Sequence, residues 1–358
     1  MKLNTAKKLT AGALALSMMF AMAVPMAFAE SMPEVDPSAP HITKKYTATN
    51  ANTTSPAETF AFTAVATNVK KAGVKADGSA ITKDDAPELT IEAAAYDKGG
   101  ATTAGAPMEL KITKNKDFPN VGIYYYTVTE ATSRNAGVTT HADNMLLKVS
   151  VIYNDAGTAL EEKYAFYNGV NSTTGEGTGD KGAAIENTYS AGSLEVTKVV
   201  TGNLGDKNKK FNVTVTFTAP AGKTVAESIS YVEGGVTKTI APEDWEDGDA
   251  EVEIAVAHNN TITFTNIPYG VTYNVVEDDY KTSDGYDAAQ YAAVDVDTEK
   301  GTVGEIDTVK ETMTITNNKG DNNIDTGVIL DNAPYILMLA VVAGGAMTLV
   351  IKKRREEE

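Results

Sequence analysis

The sequence predicts an all-β chain built as two tandem β-sandwich domains. Three observations carry that prediction. Apolar residues alternate with polar or small ones at period two along many short stretches. Threonine and other β-branched residues fill those stretches, with Gly, Asn and Asp between them. The same ordered set of strand motifs also occurs twice. At roughly 150 residues per domain, 358 residues give two domains with terminal segments to spare.

The first element is a secretory signal over residues 1–29. Lys2, Lys7 and Lys8 form its basic start, Leu9 to Val24 is mostly apolar, and Ala27-Phe28-Ala29 offers a small-x-small cleavage site. Export of the chain follows.

Half-buried strands come next. Phe60-x-Phe62, Leu147-x-Val149-x-Val151, Phe211-x-Val213-x-Val215-x-Phe217 and Ile262-x-Phe264 each place apolar side chains on one face of a sheet. No stretch between the two ends of the chain has a helical period. The repeat fixes the domains. Ile42-Thr43-Lys44 recurs as Val196-Thr197-Lys198, Tyr126-x-Val128-x-Glu130 as Tyr273-x-Val275-x-Glu277, and Ile185-x-Asn187 as Ile315-x-Asn317. One domain is therefore expected at 38–190 and a second at 191–320, with a short hinge at Ser190-Ala191-Gly192.

Residues 321–358 are expected to be a terminal anchor. Ala333 to Ile351 is uncharged throughout, about 28 Å long as a helix and enough to cross a bilayer core. Lys352, Lys353, Arg354 and Arg355 follow at once, and the positive-inside rule keeps them in the cytoplasm with the rest of the chain outside. Ile324-Asp325-Thr326-Gly327 stands just upstream.

Composition excludes several functions. A net charge of -17 repels phosphate backbones, so nucleic acid is not an expected partner. The absence of cysteine removes disulfides, thiolate metal sites and thiol catalysis. His41, His141 and His258 are too scattered for histidine-based catalysis. Asp295-x-Asp297-x-Glu299 lacks glycine at the calcium-loop spacing and reads as a solvated turn. Ser172 to Asp180 lacks a phosphate-loop lysine, and Trp245 in its acidic turn reads as packing. No cofactor, no metal and no enzymatic turnover are expected.

The chemistry lies in the repeated motifs. Ile42 and Lys44 share a strand face, as do Val128 and Glu130, and Ile185 and Asn187, so Lys, Glu and Asn should all point into the core. Matching parity in the second repeat selects Lys198, Glu277 and Asn317 over neighbours such as Asn318. Burying an ammonium and a carboxylate is costly. A chain that does so twice is either keeping a salt bridge or preparing a reaction. The reaction is attack of the lysine amine on the asparagine carboxamide, which forms an isopeptide bond and releases ammonia. Burial lowers a lysine pKa and raises that of a glutamate, giving a neutral nucleophile beside a protonated carboxyl group. That carboxyl is expected to hydrogen-bond the asparagine carbonyl and to carry a proton to the leaving ammonia. The fold supplies the proximity. Each site reacts once, so the step is self-modification.

Lys-Glu-Asn sets in tandem β-sandwiches, followed by a sorting-like segment, resemble the isopeptide-containing pilins of streptococci and related Firmicutes. The resemblance implies Ig-like (CnaB-type) domains, with crosslinks Lys44 to Asn187 and Lys198 to Asn317 promoted by Glu130 and Glu277. Ile324-Asp325-Thr326-Gly327 with its apolar span and basic tail resembles a Gram-positive cell-wall sorting signal, although Asp325 stands where proline is usual. This implies that a sortase cuts between Thr326 and Gly327. It further implies a shaft subunit joined head to tail to copies of itself and finally to peptidoglycan, with tip and basal pilins as further partners. Lys181, six residues before Asn187, matches the position of the acceptor lysine in shaft pilins, with Lys163 second. The alternative is a wall-anchored adhesin or minor pilin that binds a ligand and does not polymerise.

Overall fold

The computed structural model describes residues 40–171, 173–294 and 302–320. The signal segment, the Asp295–Glu299 turn and everything from residue 321 on, including Thr326, Gly327 and the apolar run, lie outside the described residues. Among the described residues no helix is long and apolar enough to cross a membrane.

The described residues are all-β, with two main hydrophobic cores and a small third cluster of Val200, Phe211 and Tyr286. Alternation dictates the strands: His41–Ala48 buries every second side chain, and so do Ala191–Thr201, Lys210–Thr218 and Lys310–Asn318. The Leu147, Phe211 and Ile262 stretches lie in strands Met145–Tyr153, Lys210–Thr218 and Thr261–Pro268. Phe60-x-Phe62 is divided instead. Phe60 ends a short strand, Glu58–Phe60, in a two-stranded sheet, and Phe62 opens the long strand Phe62–Lys70 in the main sheet. Among the described residues the helical content is one turn at Tyr280–Asp284, capped by the Asp279 carboxylate and ended by Gly285 in the left-handed region, and two 3-10 turns.

In the first core, ten strands form one continuous sheet that passes from layer to layer through Leu89–Ile91, which pairs with both Phe62–Lys70 and Ala106–Lys114. The first strand, His41–Ala48, runs parallel to the last long one, Ile185–Tyr189. The second core lies between a six-stranded and a four-stranded sheet. There again the first strand, Ala191–Thr201, runs parallel to the last, Lys310–Asn318.

Ser190, in the expected short hinge, is tightly held. It is the single residue between strands Ile185–Tyr189 and Ala191–Thr201. Its N–H donates to Gly137 O at 2.9 Å and its carbonyl accepts from Tyr269 N–H at 3.0 Å. Gly137 has φ 74°, and a Cβ there would lie 2.5 Å from Ser190 O, so only glycine permits this approach. The Ser133–Gly137 loop of the first half also pairs with Thr224 of the second, and Ala136 is buried in the second core. Lys98 and Glu227 add an ion pair at 2.5 Å whose carboxylate is nearly buried. Backbone hydrogen bonds on both sides hold the joint at Ser190.

Candidate functional site

Strand pairing brings the predicted residues together. In the first half, Lys44 is opposite Ile185 and Tyr46 opposite Asn187. Lys44 and Asn187 thus stand on adjacent parallel strands, two positions out of register, on the same inward face. The second half repeats this offset: Lys198 is opposite Ile315 and Val200 opposite Asn317. Glu130 closes strand Gly122–Glu130, and Glu277 closes Thr272–Glu277. Neither glutamate strand neighbours the Lys and Asn strands, so each carboxylate reaches across the core.

At the first site Lys44 Nζ lies 3.1 Å from Glu130 Oε1, both side chains fully buried. Asn187 Nδ2 donates to that same Oε1 at 2.8 Å. At the second, Lys198 Nζ is 2.6 Å from Glu277 Oε2 and Asn317 Nδ2 donates to Oε1 at 2.5 Å. Each carboxylate therefore bridges an amine and an amide nitrogen.

Burial sets the electrostatics. Desolvation pushes Lys44 down to about 8 from its ordinary 10.5, against the opposing pull of Glu130. Lys198 is lowered for the same reason and opposed by Glu277. Aromatic rings complete the dry wall: Nζ of Lys44 is 4.7 Å from the centre of the Phe60 ring, and Nζ of Lys198 is 4.3 Å from that of Phe211. These rings have equivalent places in the two halves, and each stands in an alternating run, a signal that comparison of the repeats could have used.

One detail differs from the sequence-based expectation. Neither glutamate faces the asparagine carbonyl oxygen; each faces the amide nitrogen. At the first site the carbonyl oxygen, Asn187 Oδ1, accepts instead from the backbone N–H of His141 at 2.9 Å. The physical reason is hydrogen-bond complementarity, since a carboxylate oxygen accepts and the amide nitrogen is the donor it finds. A backbone donor has no residue-type signature, so sequence reasoning could not have found it.

Lys181 ends the edge strand Gly177–Lys181 and is exposed. It lines an open cleft of about 740 Å³ with Lys163, Tyr164, Glu162 and Pro40. Lys163 is 3.0 Å from Glu161, whereas Lys181 has no ion pair among the described residues. Trp245 packs against the second core. Among the described residues no group of His, Asp and Glu is placed to hold a metal.

Two β-sandwich cores, each with Lys and Asn on its paired first and last strands and a Glu reaching them across the core, define the class: tandem sandwiches with a buried Lys-Glu-Asn trio. Residues 40–190 match the family described as the Spy0128-like isopeptide containing domain, and residues 192–319 match a domain family of unknown function. The chain is 31% identical over 321 residues to a pilin of Streptococcus pyogenes serotype M1, covering 87% of this chain and 90% of that one. In fold it is similar to the crystal structure of the major pilin from Streptococcus pyogenes, with TM-score 0.51, 24% identity, and coverage of 80% of this chain and all of that one. The chain belongs to the streptococcal pilin family. As a pilin it is a cell-surface structural subunit that polymerises with its own kind.

Proposed function

We propose that this pilin is a shaft subunit that welds each of its domains with one isopeptide bond, Lys44 to Asn187 and Lys198 to Asn317. The observation that carries the reading is a carboxylate held between amine and carboxamide in a dry core, twice, in the same register. The neutral lysine Nζ attacks the asparagine Cγ. The glutamate takes a proton from Nζ and hands it to Nδ2, the Cγ–Nδ2 bond breaks, and ammonia leaves. Fold-enforced contact replaces substrate binding. Each bond joins a first strand to a last, so a pulling force passes along covalent links and bypasses most of the sandwich.

Intact mass of the mature protein tests this directly. Wild type should be lighter than its sequence by two ammonia molecules, and Glu130→Ala and Glu277→Ala by one each. A wild-type mass equal to the sequence mass discards the crosslinks.

Export through residues 1–29, a transient membrane-held precursor and sortase cleavage between Thr326 and Gly327 complete the reading. The threonyl group passes to Lys181 of the next copy, and the last subunit is joined to peptidoglycan. Head-to-tail joining does not close on itself and so gives a filament. The exposed amine of Lys181 on an open edge, with no ion pair among the described residues, favours it over Lys163 as acceptor. Cells carrying Lys181→Ala should lose the high-mass ladder on denaturing gels. A ladder unchanged by Lys181→Ala and lost with Lys163→Ala would reverse the assignment.

A further inference from the structure

We propose that the backbone N–H of His141 is a catalytic group of the first site, the oxyanion donor for the tetrahedral intermediate formed on Asn187. The inference rests on the isopeptide reading above and adds a group to it. His141 lies in the loop between strands Val138–Thr139 and Met145–Tyr153, and its N–H is divided between Asn187 Oδ1 at 2.9 Å and Glu130 Oε2 at 3.0 Å. The same carboxylate holds Asn187 Nδ2 through its other oxygen at 2.8 Å. The carboxamide is thereby fixed in one orientation. Exchanging its oxygen and nitrogen would set N–H against N–H at one end and oxygen against oxygen at the other.

This orientation matches what the reaction needs. As Lys44 Nζ bonds to Cγ, the electron pair of the C=O double bond moves onto Oδ1. The negative charge develops where His141 N–H already points, and that hydrogen bond strengthens as it does so. When the C=O bond re-forms, Cγ–Nδ2 breaks and Nδ2 leaves as ammonia with the proton that Glu130 carried from Nζ. Glu130 and His141 thus divide the work: the carboxylate serves the nitrogens and the main chain serves the oxygen.

The His141 side chain is a positioning residue for its own N–H. Its ring Nε2 lies 3.0 Å from Asn168 O and, with a proton on that nitrogen, donates to it. This ties the loop to strand Leu160–Val170, in the same sheet as the strand that carries Glu130 and one strand removed from it. Among the described residues no donor reaches Asn317 Oδ1, so the second site serves as a reference inside the same molecule.

The test follows both bonds in the full mature chain made by cell-free translation, sampled over time by intact mass and peptide mapping. Replacing His141 by its α-hydroxy acid turns one amide into an ester and removes only the N–H. The first bond should then form about 10²-fold more slowly, the usual cost of losing one oxyanion donor, with the second at its wild-type rate. His141→Ala keeps the N–H and loses the tether, so it should slow the first bond less. His141→Gln, whose amide can reach Asn168 O, should restore it. A first bond formed at wild-type rate in the ester variant overturns the proposal. If that variant does not fold, the Ala and Gln pair decides, and wild-type rates in both overturn it. A wild-type chain that never releases ammonia would instead sink the isopeptide reading itself, a distinguishable failure.

Discussion

Glu130→Ala is expected to destabilise the first domain more than removal of any other single side chain in it. Two losses combine. The bond between Lys44 and Asn187 no longer forms, and with it goes a closed loop of on the order of 100 residues or more, worth about 4.7 kcal/mol in the chain-entropy treatment. The mutation also leaves Lys44, which is completely buried, with no counter-charge, and breaking one side of a buried pair costs about 3–5 kcal/mol. At about 2–4 °C per kcal/mol for a domain of this size, the first domain's thermal transition should fall by at least about 10 °C, while the second domain's mass loss of one ammonia is kept. Adding Lys44→Met separates the two losses. An apolar side chain of similar length removes the stranded charge but cannot form the bond, so the double variant should recover the burial penalty and not the crosslink. Equal midpoints for Glu130→Ala and wild type would show that no covalent strut holds this domain.

Much of this was legible because one physical rule, side-chain parity on a strand, does two tasks at once. The alternation that puts Ile42, Val128 and Ile185 in the core also puts Lys44, Glu130 and Asn187 there, and all but Glu130 are buried as whole residues, with its side chain fully buried too. Repetition resolved what parity alone left open, as between Asn317 and Asn318. The sequence was less informative where structure depends on main-chain hydrogen bonds. Ser190 looked like part of a hinge because small residues cluster there, yet its N–H and carbonyl are both taken by backbone partners from loops far away in sequence. Phe60-x-Phe62 looked like one strand because periodicity does not register a change of sheet at Ala61. The direction of the asparagine carboxamides was also hidden, since it is set by acceptor and donor placement and not by residue type.

Bond formation at the first site is expected to depend steeply on pH, because burial changes when Lys44 gives up its proton. A lysine at its ordinary 10.5 holds almost no free amine at neutral pH, whereas one lowered to about 8 holds an appreciable share. The initial rate should rise about tenfold per pH unit on the acid side of this value and level off above pH 8. The relay needs no added acid, since the proton leaving Nζ is the one that departs with ammonia. If Glu130 had to begin the reaction protonated, the reacting pair would carry the same number of protons as the ion pair and the rate would be flat below pH 8 and fall above it. The two profiles run in opposite directions, so one series of rates from pH 6 to 9.5 discriminates between them. The unlinked variant Asn187→Ala reports the same titration through stability. Its folded state binds the Lys44 proton less tightly than its unfolded state, so the unfolded chain holds more protons between about pH 8 and 10.5. Stability must therefore rise with pH across that window, and the burial penalty is fully present below it. Wild type, with the amine converted to an amide, should show no such rise from this residue.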